Sequence, residues 1–280
     1  MKKKHLRVLL STTAAATVVA AALNTHLTVR HYTVKTGEVS RPVRLMLLTD
    51  LHSCDYGRGQ RELLDVVEEQ HPDVILLGGD ILDDDPELPE ENAWMVVETL
   101  GRAYPTFYVT GNHEFISGRV EEIKARMEDY NVTVLAGACR TVVFQGQPIH
   151  ICGIDDPKVG ADIWQAQLEQ AAYGAEGEGL SLLLTHRPER TEAYQELGFD
   201  LILSGHTHGG QWRVPVLLNG LLAPNQGFFP SYAGGRYQLG KTTLIVSRGL
   251  ARESTRLPRI FNQPEVVVVD LAPSTQTAEK

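Results

Sequence analysis

The chain of 280 residues contains only three cysteines, Cys54, Cys139 and Cys152. An odd and sparse set of cysteines excludes the dense disulfide framework of a small secreted scaffold. Cys139 and Cys152 could still pair if two neighbouring strands brought them together. Otherwise they would be small buried apolar side chains.

Positive charge is also scarce. Lysine and arginine number 26 against 35 aspartates and glutamates, and the formal net charge is −9. The body is more acidic still, because four of the cations lie within the first seven residues, namely Lys2, Lys3, Lys4 and Arg7. Such a body is poorly matched to a nucleic-acid backbone or to an anionic lipid surface. We therefore expect no nucleic-acid partner.

The sequence lacks an uninterrupted apolar run of the ~20 residues that cross a bilayer comfortably. Residues 8–23 are apolar or small but are diluted by serine and threonine, and they follow the basic start of the chain. With the run Ala20-Ala21-Ala22, this pattern predicts that residues 1–23 are a signal peptide or an uncleaved membrane anchor. The alternative is a buried N-terminal helix, which the lysine cluster disfavours. The segment has no Arg-Arg pair, so a twin-arginine signal is not indicated. Either a signal peptide or an anchor would place the body outside the cytoplasm.

The remaining composition is that of a folded protein. Hydrophobic residues make up 42% and charged residues 22% of a chain long enough for a sizeable core. We expect residues 24–42 to be a linker and first strand, residues 43–272 to form the main domain, and residues 273–280 to be a frayed tail. Strands alternate with helices, give way to short strands, and then alternate again, which predicts an α/β fold with two sheets faced by helices. The predicted helices cover residues 61–70, 92–102, 118–130 and 161–173, and the predicted strands cover residues 43–48, 73–77, 106–109, 132–135, 141–144, 149–153, 180–184, 200–203, 234–239, 242–247 and 265–271.

Five of these strands end in a metal-binding type of side chain, usually beside a glycine. If the strands are parallel neighbours, their tips converge on one edge of the sheet, where α/β proteins place ligand sites. The residues delivered there are Asp50 and His52, Asp80, Asn112 and His113, His186, and His206 and His208.

Setting His113 aside, seven donors are more than the four of a tetrahedral zinc site. They suit two metal ions that share one carboxylate, the arrangement that supports in-line displacement at phosphorus. Mixed imidazole and carboxylate donors favour Mn, Fe or Zn over Mg or Ca alone. The sequence therefore predicts a site for two divalent metal ions.

The same blocks resemble the calcineurin-like metallophosphoesterases. In this chain they read Asp50-Leu51-His52, Gly79-Asp80-Ile81-Leu82-Asp83, Gly111-Asn112-His113-Glu114, the single His186, and Gly205-His206-Thr207-His208. The resemblance implies a four-layer sandwich of two mixed β-sheets flanked by helices, with a dinuclear metal site at the carboxyl ends of the strands. It also implies hydrolysis of a phosphomonoester, phosphodiester or pyrophosphate bond by a metal-bound hydroxide.

The resemblance further implies a role for each residue. One metal would be held by Asp50, His52 and His208, and the second by Asn112, His186 and His206. Asp80 would bridge the two metals, and His113 would be the catalytic acid or would stabilise the charge that develops on the phosphoryl group. Asp83 and Glu114 would either orient a histidine ring or cap a loop.

Two further segments, residues 205–211 and 227–237, resemble a membrane-associated bacterial branch whose members act on cell-envelope and lipid-linked substrates. Between them, residues 214–224 are too broken for a long helix and too apolar for an ordinary solvated loop. We call residues 214–224, Phe228 and Phe229 the apolar lip. It either forms an exposed surface near the metals, which favours a lipid-linked phosphate ester as substrate, or folds back into the core.

A soluble nucleotide phosphodiesterase is the alternative function, and a non-catalytic envelope scaffold is disfavoured because no ligand is missing.

Overall fold

The computed structural model describes residues 13, 16–252 and 258–274. Its helices are α1 (Arg61–Gln70), α2 (Glu91–Ala103), α3 (Asn112–Ile116), α4 (Val120–Asp129), α5 (Ala161–Gly174) and α6 (Thr191–Gln195). Its strands are β1 (Thr28–Thr36), β2 (Val43–Leu48), β3 (Val74–Leu77), β4 (Thr106–Tyr108), β5 (Val132–Val134), β6 (Cys139–Phe144), β7 (Gln147–Gly153), β8 (Leu180–Leu184), β9 (Leu201–Ser204), β10 (Leu222–Ala223), β11 (Gly227–Phe228), β12 (Gly235–Leu239), β13 (Thr242–Val246) and β14 (Glu265–Pro273).

Twelve of the strands form two six-stranded sheets. The first has the order β1-β14-β2-β3-β4-β5 and the second β12-β13-β9-β8-β7-β6. In the first sheet β2, β3, β4 and β5 run parallel, whereas β14 is antiparallel to β2. In the second sheet β7, β8, β9 and β13 run parallel, and β6 and β12 are antiparallel edge strands. Both sheets are therefore mixed, as predicted.

The two sheets face each other across a continuous apolar core. Leu47 and Val267 of the first sheet belong to this core together with Leu182 and Leu203 of the second. The outer face of the first sheet packs on α1, α2 and α4, and the outer face of the second packs on α5. The central strands read as unbroken apolar runs because they are covered on both faces. The result is the four-layer α/β/β/α sandwich that the sequence predicted.

Helix α1 shows how the local sequence makes one of the outer layers. Leu63 and Val67, one turn apart, are its buried side chains, so one stripe of the helix faces the sheet. The helix ends at Gln70, and His71 adopts a left-handed conformation before Pro72. Pro72 disfavours helical backbone angles at His71, and this fixes where the chain turns back into β3.

Part of each predicted end segment lies outside the described residues. These parts are positions 1–12, 14 and 15 of the predicted signal peptide or anchor and positions 275–280 of the predicted tail. Residues 16–22 are helical, and Val18 and Val19 on them are exposed. Within the described part of the chain, every helix is too short or too polar to cross a membrane. The strand that follows, β1, pairs in parallel with β14 along its full length.

A disulfide joins Cys139 to Cys152. The two residues are direct partners in the antiparallel β6–β7 pair, so the hairpin register brings their side chains together. Of the two alternatives left open by the sequence, pairing is therefore the one that the fold adopts. Cys54 remains a buried free thiol.

Candidate metal centre

The strand tips that carry the candidate donors come from both sheets. β2, β3 and β4 of the first sheet deliver Asp50, Asp80 and Asn112, and β8 and β9 of the second deliver His186 and His206. The expectation of a single sheet edge is therefore wrong in this detail. The donors meet where the carboxyl ends of the two packed sheets face each other, so each sheet supplies part of the site.

The backbone at these tips is unusual. The φ angles of Asp50, His52, Asp80, His206 and His208 are all positive, between 47° and 71°. A left-handed non-glycine residue costs on the order of 1–3 kcal/mol, and such residues cluster at functional sites. Sharp turns directly after buried strands thus direct these side chains toward a common centre.

Asp80 lies at that centre. Its Oδ2 atom is 2.9 Å from Nε2 of His186 and 3.8 Å from Nε2 of His52. Its Oδ1 atom accepts a hydrogen bond of 2.8 Å from the backbone N–H of His113. One carboxylate therefore contacts donors of both sheets.

One group of possible metal ligands comprises Asp50, His52 and His208, whose donor atoms lie within 4.8 Å of one another. Nε2 of His208 is 3.9 Å from Oδ1 of Asp50. All three residues are buried. The carboxylate of Asp50 also accepts the backbone N–H of His206, which fixes the tip of β2 against the tip of β9.

A second group comprises Asp80, His186 and His206. Nδ1 of His206 lies 3.1 Å from Nε2 of His186. Asn112 lines a cavity together with Asp80 and His206. Its buried Oδ1 atom has no hydrogen-bond partner among the described residues. The structure thus brings together all seven residues that the sequence predicted as metal ligands.

Hydrogen bonds fix which ring nitrogen of two histidines faces the centre. Nδ1 of His52 is 2.7 Å from Oδ2 of Asp83, and Nδ1 of His186 is 2.8 Å from the carbonyl of Gly78. In both rings Nδ1 carries the proton in the neutral tautomer, which leaves Nε2 as the ligating atom. Asp83 therefore orients a histidine ring, one of its two predicted roles.

Glu114 takes the other predicted role, that of a loop cap. Its buried carboxylate accepts the backbone N–H groups of Gly111, Asp80 and Ile81 at 2.8, 3.1 and 2.8 Å. Burial and the nearby charge of Asp80 raise the pKa of this carboxyl group. Glu114 therefore holds the β3 and β4 tips together and touches no histidine ring among these contacts.

The electrostatics of the centre favour neutral His206 and His208 beside an ionised Asp80, whereas the pKa values of His186 and His52 are raised. Burial lowers the pKa of both His206 and His208 far below the usual range, with additional repulsion from His186 and His52 respectively. Burial would raise the pKa of Asp80, but the neighbouring His186 holds it well below the ordinary value. Although burial opposes it, Asp80 in turn raises the pKa of His186 to about 10. Neutral imidazole and ionised carboxylate are the forms that bind metals, so His206, His208 and Asp80 are in their metal-binding forms, whereas a cation would have to displace the extra proton of His186.

His113 lines the cavity over this centre and is more exposed than the seven donors. Its ring meets that of His52 edge to face, with centroids 4.5 Å apart. Nδ1 of His113 contacts the carboxylate of Asp84. This contact leaves Nε2 of His113 as the ring nitrogen that can serve a bound substrate.

Three cavity residues were missed at the level of sequence, namely Arg187, Lys158 and Asn225. They line a cavity of about 240 Å³ together with four of the candidate metal ligands, namely Asp80, Asn112, His206 and His208. Arg187 is buried and pairs with the buried Asp156, and its Nη1 atom lies 2.9 Å from Nε2 of His206. The available signal for Arg187 was its position directly after His186, at the same strand tip.

Two glycines explain how the tips approach so closely. A Cβ atom at Gly79 would lie 2.6 Å from the backbone nitrogen of Gly111 and 2.7 Å from Nδ1 of His186. A Cβ atom at Gly209 would lie 2.3 Å from Oδ1 of Asn262. Both residues also have positive φ angles, so no other residue fits either position without strain.

The donor set fits two divalent metal ions. Nε2 of His52, Nδ1 of His208 and Oδ1 of Asn112 are buried atoms without a hydrogen-bond partner in the described part of the chain. A buried unpaired polar atom is costly, and several such atoms aimed at one centre are the arrangement that a metal would satisfy. Asp80 belongs to the group with His186 and His206, and it also groups with His52, a member of the other donor group.

Comparison with known proteins agrees with this geometry. Residues 43–210 match the family model described as calcineurin-like phosphoesterase. The chain belongs to this family. All five motif blocks lie within the matched range or at its end, so the family assignment and the site rest on the same residues.

Similar proteins include two bacterial relatives. A metallophosphoesterase of Campylobacter jejuni is 31% identical over 251 residues, covering 87% of this chain and 63% of that protein. The chain thus spans less than two thirds of that relative. The phosphodiesterase YaeI of Escherichia coli K12 is 28% identical over 247 residues, covering 87% of each chain. Among solved structures, the protein TT1561 of Thermus thermophilus shares the fold with a TM-score of 0.51 at 12% identity, covering 75% of this chain and 91% of that one.

Family membership and geometry together establish a metal-dependent phosphoric ester hydrolase that uses two divalent metal ions.

Proposed function

We propose that this chain hydrolyses a phosphodiester or pyrophosphate bond in a lipid-linked molecule of the cell envelope. The observation that carries the proposal is that Pro224, the last residue of the lip segment, also lines the metal cavity. Asn225, the next residue, places Oδ1 2.7 Å from Nε2 of His206. The apolar lip therefore adjoins the reactive centre.

We assign the metal ligands as the family resemblance implies. Asp50, His52 and His208 would hold one cation, with Asp80 shared. Asn112, His186 and His206 would hold the other. The supporting contacts are the two compact donor groups, in which the ring centroids of His52 and His208 lie 5.2 Å apart and those of His186 and His206 lie 4.8 Å apart.

Bound there, the two cations supply Lewis acidity toward the phosphoryl oxygens and lower the pKa of a water. The chain's own residues complete the chemistry. His113 lines the cavity, and its Nε2 atom would give a proton to the leaving oxygen while Asp84 contacts Nδ1 and orients the ring. The guanidinium of Arg187, fixed by Asp156, would stabilise negative charge on the phosphoryl group.

Several large apolar side chains of the lip are exposed, whereas Ala223 of the same segment is buried. Val216 and Leu217 have relative exposures of 105% and 83%, and Phe228 and Phe229 of 69% each. Phe228 is the last residue of β11 and pairs with Leu222 of β10, and Phe229 follows it directly. Exposed apolar side chains in such a cluster mark an interaction surface, and one beside the cavity suits an acyl or prenyl chain.

A location outside the cytoplasm is part of the proposal. The Cys139–Cys152 disulfide supports it, because disulfides persist in oxidising compartments. The basic start and the apolar residues 8–23 support it independently, as a signal peptide or a membrane anchor.

The test is a Mn²⁺-supplemented panel of substrates that share one scissile bond. We expect kcat/KM to be higher for a lipid-linked pyrophosphate or phosphodiester than for a soluble nucleotide with the same bond. Equal or faster turnover of the nucleotide would instead identify a soluble nucleotide phosphodiesterase.

A further inference from the structure

A second pocket lies beside the apolar lip, separate from the metal cavity. It has a volume of about 400 Å³, and no residue that lines it also lines the cavity over the metal centre. Its polar wall includes Arg30, Arg213 and Arg248, and its apolar wall includes Val214 and Val216. The proposed function uses none of these arginines.

The pocket carries an excess of positive charge. Glu265 is buried and pairs with Arg248, whose Nε atom lies 2.5 Å from Oε2. Nε of Arg30 lies 3.6 Å from the same oxygen. Arg213 has no salt bridge with a carboxylate among the described residues. Three guanidinium groups therefore line the pocket, and the one carboxylate beside them pairs with only two, in a protein whose overall charge is negative.

Arg213 is the cation that most needs an anion. Its Nη2 atom donates to Oδ1 of Asn219 at 2.5 Å, but its Nη1 atom is buried and lacks a hydrogen-bond partner within the described residues. Burial and repulsion from Arg248 lower its pKa. A phosphate in the pocket would supply the guanidinium of Arg213 with a counter-charge and offset the repulsion from Arg248.

The surroundings indicate that the phosphate belongs to a lipid. Val214 and Val216 line the pocket and are exposed, so an anion held there would have apolar surface beside it. Phe261, also in the lining, donates its backbone N–H to the carbonyl of Ala22 at 2.8 Å. The helical residues 16–22, with exposed Val18, therefore end against a residue that lines this pocket.

We propose that Arg30, Arg213 and Arg248 bind the phosphate of an anionic phospholipid headgroup at a bilayer surface. The lip would then contact the acyl region beside it, and the metal cavity would be held near the membrane. The proposal goes beyond the proposed function, because it concerns binding and requires no turnover.

The experiment uses the full chain in EDTA, so that the metal centre does not capture phosphate. Co-sedimentation is measured with vesicles of phosphatidylcholine alone and of phosphatidylcholine mixed with phosphatidylglycerol. Calorimetry with soluble dihexanoylphosphatidylglycerol gives a second reading that does not depend on bilayer insertion of residues 1–23. Arg213→Gln and Arg30→Gln are compared with the control Arg236→Gln, which removes an exposed arginine of β12 outside the pocket.

We expect the wild type and the Arg236→Gln variant to bind the anionic lipid in both assays. Each pocket variant should lose about fivefold in affinity. Unchanged binding by Arg213→Gln and Arg30→Gln in both assays would overturn the proposal. Equal binding to neutral and anionic vesicles would also overturn it, since the lip alone would then suffice. So would capture of inorganic phosphate with no binding of either lipid form, which would identify a site for a free anion.

Discussion

Nε2 of His186 lies 2.9 Å from Oδ2 of Asp80. Asp80 follows β3 of the first sheet and His186 follows β8 of the second, so this contact joins the two halves of the sandwich at their functional edge. Nδ1 of the same ring bonds to the carbonyl of Gly78, two residues before Asp80. The metal centre is thus built on an interface between two sheets, and its geometry depends on how the sheets pack.

Replacing Asp83 should weaken metal binding without removing a metal ligand. Asp83→Asn removes the charge that orients His52 through Nδ1, so we expect the affinity for Mn²⁺ to fall about 10–100-fold. Equilibrium metal titration of the two proteins measures this change. Asp85→Asn in the same loop is the control, because Asp85 is exposed and touches no metal-binding histidine. Equal losses in both variants would contradict the role of Asp83.

Arg187 should contribute to both stability and turnover. Arg187→Ala leaves the buried Asp156 unpaired, which should cost about 3–5 kcal/mol in unfolding free energy. It should also lower kcat/KM on the order of 10²-fold. Denaturant unfolding and steady-state kinetics below the variant's transition measure the two effects.

Two further variants separate these effects of Arg187. Arg187→Lys keeps a cation beside Asp156, so it should recover much of the stability while turnover stays low, since lysine lacks the planar fork. Arg190→Ala removes a nearby cation that stacks on Trp164 outside the cavity, and should change neither quantity strongly. Full activity in Arg187→Ala would show that Arg187 is only structural.

Polar substitutions in the apolar lip should discriminate between substrates. Changing Leu217, Phe228 and Phe229 to serine should raise KM for a lipid-linked phosphate by about tenfold or more, because these side chains are exposed and available to an apolar chain. Turnover of a soluble aryl phosphate should stay within about twofold. Val143→Ser, an exposed apolar residue on β6, is the control. A parallel loss for both substrates would contradict the proposed contact.

The disulfide should stabilise the fold. Its cysteines are 13 residues apart, so opening it with Cys139→Ser and Cys152→Ser together should lower the free energy of unfolding by about 3 kcal/mol. Guanidinium unfolding of the wild type with and without reductant checks the value. Reductant should leave the double variant unchanged. Wild-type stability that is indifferent to reductant would contradict a structural role.

The clustering of the candidate metal ligands could be predicted because their signal is local. Each block, such as Asp50-Leu51-His52, stands directly after an apolar strand, and its spacing survives in the sequence whatever the strand order. The division of Asp80 and His186 between two sheets could not be predicted, since it depends on contacts between strands more than 100 residues apart. The pairing of β1 with β14 is beyond local patterns for the same reason.

The disulfide and the position of Asn225 have weaker signals in the sequence. The Gln145-Gly146 turn between β6 and β7 sets a hairpin register in which Cys139 lies opposite Cys152. The position of this turn in the sequence therefore favours the disulfide. Asn225 carries no such signal, because its position beside His206 depends on how the lip folds over the cavity. Side chains that reach a site from irregular segments have no periodicity to reveal them.

The most direct test of the central claim is Mn²⁺-dependent hydrolysis of bis(p-nitrophenyl) phosphate by the wild type and by Asp80→Asn. Asp80 contacts donors of both groups, so losing its charge should lower kcat on the order of 10³-fold or more. The exposed Asp65→Asn on α1 should leave the rate unchanged. Wild-type rates in the Asp80→Asn variant, or a wild-type rate indifferent to Mn²⁺ after chelation, would contradict a two-metal phosphoesterase centred on Asp80.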